Sequence, residues 1–315
     1  MNELIFKVMN EKNSVQRWLS RKMFRLPQAF GFQVVADHFY EVIPNTKYVE
    51  HHYVDTPRHC AGLALQMAPY EEFACTILDE YLPDFLNCER LLELGFQPSN
   101  PYYHGFDTAI LFGVIRHFKP CRIVEVGQGM STRIAMAAMN MNWQETGQRA
   151  TLISIDPYQR IAPGQQLEGI DIQYYNTPVQ STDVGPLREL SRNDLLFIDS
   201  SHVFKFGSDV QFEFERVYPI LGPGVIVHVH DIFTPFDYPK HWIVHNKWFW
   251  NEQYYLEQFL AYNKDFRIIL PSHYVTKLSS RVQDLWRERS GEQGSMAWWK
   301  GGPHESASSF YIQRI

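Results

Sequence analysis

Cysteine is scarce in this chain: Cys60, Cys75, Cys88 and Cys121 are the only four in 315 residues, and none stands in a C-x-x-C pair. That spacing argues against a zinc ribbon or a disulfide framework and for reduced thiols in a cytoplasmic protein. Long hydrophobic runs are lacking too. No uninterrupted apolar stretch reaches the ~18 residues that a membrane-spanning helix needs. "MNELIFKVMNEKNSVQRWLSRK" scatters charge among its apolar residues, so neither a signal peptide nor membrane insertion is expected. Positive charge is not in excess, with 29 Lys and Arg against 35 Asp and Glu and a formal net charge of −6. A nucleic-acid partner needs a basic face, and no dense basic run supplies one. Internal repeats and low-complexity tracts are absent as well.

What is present is ordinary globular composition, 45% hydrophobic and 20% charged, in a length that allows a large domain with a smaller addition. From about Pro120 a rhythm sets in. "CRIVEV" (121–126) leads through "GQGMST" into the helical "RIAMAAMNM", and "TLISID" (151–156), "IDIQYY" (170–175) and "DLLFID" (194–199) are further strands. "SDVQFEFERVYPIL" (208–221) reads as a helix stopped by Gly222–Gly224, and "GVIVHVHDIF" (224–233) as the fifth strand. "WNEQYYLEQFLAYN" (250–263) is a helix, and "FRIILP" (266–271) and "SSFYIQRI" (308–315) complete seven strands. Apolar strands alternating with helices predict an α/β fold with a doubly wound, mostly parallel seven-stranded sheet. That sheet domain is expected over 96–315, with an aromatic segment at 236–262 and a polar loop or flap at 279–306. Residues 1–95 lack the rhythm and read as a mainly helical N-terminal extension.

In open parallel sheets ligands bind beyond the carboxyl ends of the strands. Those ends carry Glu125, Gly127 and Gly129; Asp156; Asp199 and His202; and His228, His230 and Asp231. The glycines of "EVGQGMST" permit a sharp turn and close approach of a ligand. A nicotinamide fingerprint would require glycine where Thr132 stands, and its acid would follow about 20 residues on, nearer than Asp156.

"RIVEVGQGMSTRIA", "LISIDPY", "DLLFIDSSHV" and "LGPGVIVHVHDIF" together resemble the class I S-adenosylmethionine-dependent methyltransferases, with a Rossmann-like fold. More narrowly they resemble a bacterial group whose first motif reads E-V-G-S-G-x-S-T. Gln128 stands in place of that group's serine, a mild departure, since the backbone rather than the side chain shapes the turn. The resemblance implies S-adenosylmethionine as cofactor, with Glu125, Gly127, Gly129 and Ser131 at its methionine end. Asp156 would hold the ribose, Tyr158 would lie near the adenosine, and the adenine would sit about Pro178–Gln180. "IDSSH" and the "HD" closing strand five are similar to metal-dependent O-methyltransferases of sugars and catechols, which implies a divalent ion on Asp199, His230 and Asp231. Those families carry an acid where this chain has His230. Magnesium prefers oxygen, whereas imidazole suits zinc, iron or manganese, so the ion is a different one or is absent.

Methyl transfer is an in-line displacement that depends chiefly on alignment. A sugar hydroxyl benefits from a base or a metal, and His202, with a reference pKa of ~6.5, is the candidate base, oriented by Asp199. The expected acceptor is a hydroxyl of a sugar, glycan or other polar small molecule; a homo-oligomer is left open. Two other readings compete: a metal-dependent hydrolase or oxygenase on the same sheet, and a non-catalytic cofactor-binding scaffold. His228, deeper in the strand, reads as a core histidine with its nitrogens satisfied, and Asp209 and Glu213 as a solvated helix face. The aromatic cluster between Tyr238 and Phe259, with His241, His245 and Trp250, is either helix packing or a platform for a flat substrate.

Overall fold

The computed structural model describes residues 18, 25–35, 37, 40–98, 100–158, 160–161, 167–290 and 307–315. Nearly all of the segment 1–22 and part 291–306 of the expected flap lie outside them. The chain divides into two compact units, one of Met1–Val54 with Pro239–Phe249, the other of Asp55–Tyr238 with Trp250–Ile315.

In the first unit the helix Thr46–His52 begins at Asn45, whose side chain accepts the backbone N–H groups of Lys47 and Tyr48. That cap satisfies two of the amides that a helix start leaves without partners. In its last turn His52 stacks on Tyr48 with ring centroids 4.0 Å apart.

The second unit holds the sheet. Its strands are β1 (Arg122–Val126), β2 (Ala150–Ile155), β3 (Ile170–Tyr175), β4 (Leu195–Ile198), β5 (Ile226–Val229), β6 (Phe266–Pro271) and β7 (Phe310–Arg314). Their order is β3-β2-β1-β4-β5-β7-β6. β1 to β5 run parallel, while β7 is antiparallel to both β5 and β6. All seven expected strands are there. Alternation sends Ile123, Leu195, Phe197 and Tyr311 to one face, against the helices Met67–Leu86, Phe106–Phe118 and Met130–Thr146. Val124, Leu196, Val227 and Ile312 face the other side, with Leu187, Tyr218, Leu256 and Leu260. Both faces are covered, which is why these strands read as near-continuous apolar runs. Each fully buried large apolar side chain contributes roughly 1.5–3 kcal/mol.

Two stretches differ from expectation. Ser280–Ser290 is a helix, not a loop. Its apolar residues are few, but Val282 and Trp286 stand four apart, so both fall on one face, where they are buried. The 208–221 helix is broken into an α-helical turn at Asp209–Phe212, a wide π turn at Glu213–Val217 and a tight turn at Tyr218–Ile220. Pro219 explains the ending, since it lacks an N–H and its ring crowds the carbonyl four residues back. Among the described residues no helix is long and apolar enough to cross a membrane.

Candidate active site

The strand order reverses between β1 and β4, and the site forms where that reversal opens a crevice at the strands' carboxyl ends. Gly127, just past β1, has φ +92°, and a Cβ on it would lie 2.1 Å from the carbonyl oxygen of Asp199, just past β4. Only glycine fits so close a crossing. Beside it is a cleft of about 350 Å³ lined by Gly127, Asp156, Tyr158, Val179, Gln180 and Asp199, among others, a volume within the range of small-molecule sites. A larger cleft of about 840 Å³ lies elsewhere, lined by Gly62, Tyr70, Leu260 and Arg267 among others, and contains none of the strand-end residues.

Glu125 and Ser131 sit behind the glycine turn rather than on the cleft wall. The buried Glu125 carboxylate accepts hydrogen bonds from Ser131 Oγ (2.8 Å), Thr132 Oγ1 (2.7 Å) and Ser154 Oγ (2.9 Å). Burial pushes its pKa up to about 7 against the pull of those three hydroxyls. Gly129 is in extended backbone and starts the helix Met130–Thr146, its N–H donating to Thr132 Oγ1 at 3.0 Å. Asp156 accepts the backbone N–H of Gln128 (2.7 Å) and of Tyr158 (2.6 Å). The Gln128 side chain is not passive, as a backbone-only turn would have it: its Oε1 accepts the N–H groups of Arg160 (2.7 Å) and Ile161 (2.8 Å).

Asp199 joins this cleft to a second cluster. Its Oδ1 lies 3.3 Å from His202 Nε2 and 3.4 Å from His230 Nδ1. Asp231 Oδ2 is 3.6 Å from both of those nitrogens. Each imidazole is backed by a further carboxylate, Glu252 at 2.9 Å from His202 Nδ1 and Asp107 at 3.5 Å from His230 Nε2. Ser308 Oγ lies within hydrogen-bonding distance of both Asp107 (3.1 Å) and Asp231 (3.0 Å). The backbone helps set this arrangement, since the His202 carbonyl accepts the N–H of Asn251 and of Glu252 at the start of the helix Glu252–Ala261. His202 and Asp231 hold φ of +59° and +57°, a left-handed conformation that is strained for side-chain-bearing residues and gathers at functional sites.

Burial disfavours a charged His202 ring, but hydrogen bonds with Asp199 and Glu252 and the charge of Asp231 outweigh it, so its pKa lies well above 6.5. His230 is raised likewise, burial being overcome by Asp231, Asp199 and Asp107. Asp199, only partly buried, is held well below the usual carboxylate range by His230 and His202. His202 therefore does not have the unperturbed pKa the sequence suggested. Glu252 and Asp107 were missed in the sequence: one lies 50 residues from its histidine and the other more than 120, and each occupies an ordinary helix start. Glu213, expected on a solvated face, is fully buried beside Ser200, and burial with the nearby Glu252 and Asp209 raises its pKa well above normal. Asp209 is turned to Ser201, accepting its N–H and hydroxyl. His228 is a core residue as expected, but neither ring nitrogen has a hydrogen-bond partner. Trp250 packs on His202 at 4.3 Å and Tyr255 stacks on Phe204 at 4.0 Å.

The donor set suits a metal. Ligand atoms of Asp199, His230 and Asp231 all lie within 4.8 Å of one another, and the buried His230 Nδ1, which faces both carboxylates, makes no hydrogen bond. Two carboxylates and an imidazole fit a first-row transition ion better than magnesium.

Residues 124–232, about a third of the chain, match a family described as a methyltransferase domain. An uncharacterized protein of Archaeoglobus fulgidus is 28% identical over 170 residues, 50% of this chain and 73% of the relative. Among solved structures, the SAH-bound Podospora anserina methyltransferase PaMTH1 is 12% identical, covering 90% of this chain and 99% of its own, with a TM-score of 0.38. The plantazolicin methyltransferase BpumL, in complex with a monoazolic desmethylPZN analog and SAH, is 11% identical, covering 78% and 96%, with a TM-score of 0.40. Over residues 124–232 the chain is thus similar to a methyltransferase domain.

Proposed function

We propose that the chain transfers the methyl group of S-adenosylmethionine to a hydroxyl of a sugar, glycan or other polar small molecule, with a divalent ion assisting. The observation that carries this reading is the double position of Asp199, on the wall of the 350 Å³ cleft and in contact with both histidines of the rim cluster. Cofactor and acceptor sites are thereby adjacent, as an in-line displacement requires.

In this reading Gly127 admits the cofactor, Gly129 starts the helix behind it, Asp156 receives the ribose, and Tyr158 with Pro178–Gln180 borders the adenosine. When bound, the cofactor supplies a sulfonium methyl as electrophile. His202 Nε2, when unprotonated, would take the proton of the acceptor hydroxyl as that oxygen is methylated. Glu252 accepts the Nδ1–H of that ring and fixes which nitrogen faces the acceptor. Asp199, His230 and Asp231 would hold the ion, which when bound supplies positive charge that acidifies a hydroxyl. That charge also offsets the carboxylates that otherwise keep His202 protonated.

Calorimetric titration with S-adenosylmethionine, followed by methyl transfer to a panel of hydroxylated acceptors with and without Zn²⁺ or Mn²⁺, tests the reading. Saturable cofactor binding and an O-methylated product are expected. Absence of saturable binding overturns it.

A further inference from the structure

The glycine turn and the segment after β2 are joined by a closed clasp, and its central piece is the residue at which this chain departs from the motif it resembles. The Gln128 backbone N–H donates to Asp156 Oδ2 at 2.7 Å. The Gln128 side chain runs the other way, its Oε1 accepting the N–H groups of Arg160 and Ile161 at 2.7 and 2.8 Å. The other Asp156 oxygen accepts the N–H of Tyr158 at 2.6 Å. Gln128 is 4% exposed, so these bonds are made away from water, where an amide left without a partner is costly.

Both halves of the clasp line the same cleft, Val126 and Gly127 from one side, Asp156, Pro157, Tyr158 and Arg160 from the other. The position of the second half depends on the first. A serine at 128 could not do this: its hydroxyl ends two bonds nearer the backbone than the Gln128 amide oxygen, too short to reach the amides of residues 160 and 161. The other end of the side chain is anchored more loosely, with Nε2 3.5 Å from Ser154 Oγ.

We propose that Gln128 is a positioning residue for the cofactor, holding Arg160 and Ile161 against the glycine turn so that the Asp156 carboxylate and the Tyr158 ring present themselves to the ribose and adenosine. The inference rests on the reading of this cleft as the S-adenosylmethionine site. Gln128 acts through backbone amides and touches no reacting atom, so it governs affinity for the cofactor rather than the rate of the methyl-transfer step.

The test compares the full-length protein with Gln128→Met, which keeps the length and removes the acceptor, and with Gln128→Ser. Both variants are expected to bind S-adenosylmethionine and S-adenosylhomocysteine 10- to 100-fold more weakly by calorimetry. The KM for S-adenosylmethionine should rise by the same factor, with kcat at saturation within twofold of wild type. A purely structural role would lower the melting temperature and leave affinity unchanged below the melt. Folded variants with cofactor affinity within twofold of wild type overturn the proposal. Hydrogen exchange on the wild-type protein supplies a measurement that needs no variant: the Arg160 and Ile161 amides should exchange at least tenfold more slowly with cofactor bound, and unchanged exchange overturns the proposal. If the wild-type protein binds no cofactor, the reading of the cleft fails instead, a result distinct from equal binding by wild type and variants.

Discussion

Replacing Glu125 by glutamine should change how stability depends on pH. The side chain is buried, and burial raises its pKa from 4.5 to about 7 even though three hydroxyls donate to it. In the unfolded chain the carboxyl ionises near its ordinary value. Below that value both states carry the proton and the group is neutral to stability. Above it the unfolded chain releases the proton while the folded one keeps it, so stability from this group falls as pH rises toward 7 and then stays low. Raising the pKa from 4.5 to about 7 makes the total loss about 3.5 kcal/mol at ~1.4 kcal/mol for each tenfold change, most of it between about pH 5 and pH 8. Glu125→Gln mimics the protonated carboxyl, and the hydroxyls of Ser131, Thr132 and Ser154 can turn to serve its amide. Urea unfolding of wild type and variant across that range provides the measurement, and subtracting the two curves removes every other titrating group they share. The variant should gain on the wild type by roughly 2–3 kcal/mol from the acid to the alkaline end. Parallel curves would mean that Glu125 is ionised throughout in the folded protein, and the reasoning from burial would be wrong.

Other outcomes follow from the same geometry. Gly127→Ala meets both a φ of +92° and the Asp199 carbonyl at 2.1 Å. It should cost about 3 kcal/mol or more by chemical denaturation and abolish cofactor binding by calorimetry. His202→Ala should reduce single-turnover methyl transfer by ~100-fold or more while cofactor affinity stays within twofold, and a rate at the wild-type level would remove His202 from the reaction. Metal-stripped protein should bind Zn²⁺ or Mn²⁺ more tightly than Mg²⁺, and Asp107→Asn, behind His230, should weaken that binding by ~10–100-fold; equal affinity for all three ions would argue against an imidazole ligand. Trp286→Ala should destabilise the protein by ~3–5 kcal/mol, whereas a side chain on a solvated flap would cost almost nothing.

The strands were legible because parallel strands covered on both faces must be apolar at nearly every position, and most of the short runs ended in glycine, proline or an acid. The helix Ser280–Ser290 was not. Its mean composition is polar, and only Val282, Leu285 and Trp286 carry its contact with the core, a signal that an amphipathic stripe can give but three residues scarcely raise above loop composition. The role of Gln128 was hidden for a different reason. The sequence shows a glutamine in a turn but gives no sign that residues 160 and 161 return within reach of it, and long-range side-chain to backbone bonds have no local signature.

His228 and His230 show most sharply what sequence alone leaves undecided. They lie on one face of β5 and its immediate continuation, two residues and about 7 Å apart, and nothing in "HVHD" distinguishes their chemistry. His228 is enclosed by the rings of Tyr103, Phe197 and Tyr311, and burial, reinforced by the charge of His230, pushes its pKa down to about 3, leaving a neutral ring. His230 is as nearly buried, yet its pKa moves the opposite way. Burial alone therefore cannot be the deciding quantity. The difference is the placement of carboxylates: Asp107, Asp199 and Asp231 stand within 3.4–3.6 Å of the His230 ring nitrogens, while no hydrogen-bonding partner reaches those of His228. Two of those three acids come from other elements of the fold, a helix start and the end of β4. The rim histidine acquires its chemistry where the ends of the paired strands β4 and β5 meet the start of the helix Phe106–Phe118, and the same residue placed one pleat deeper becomes packing.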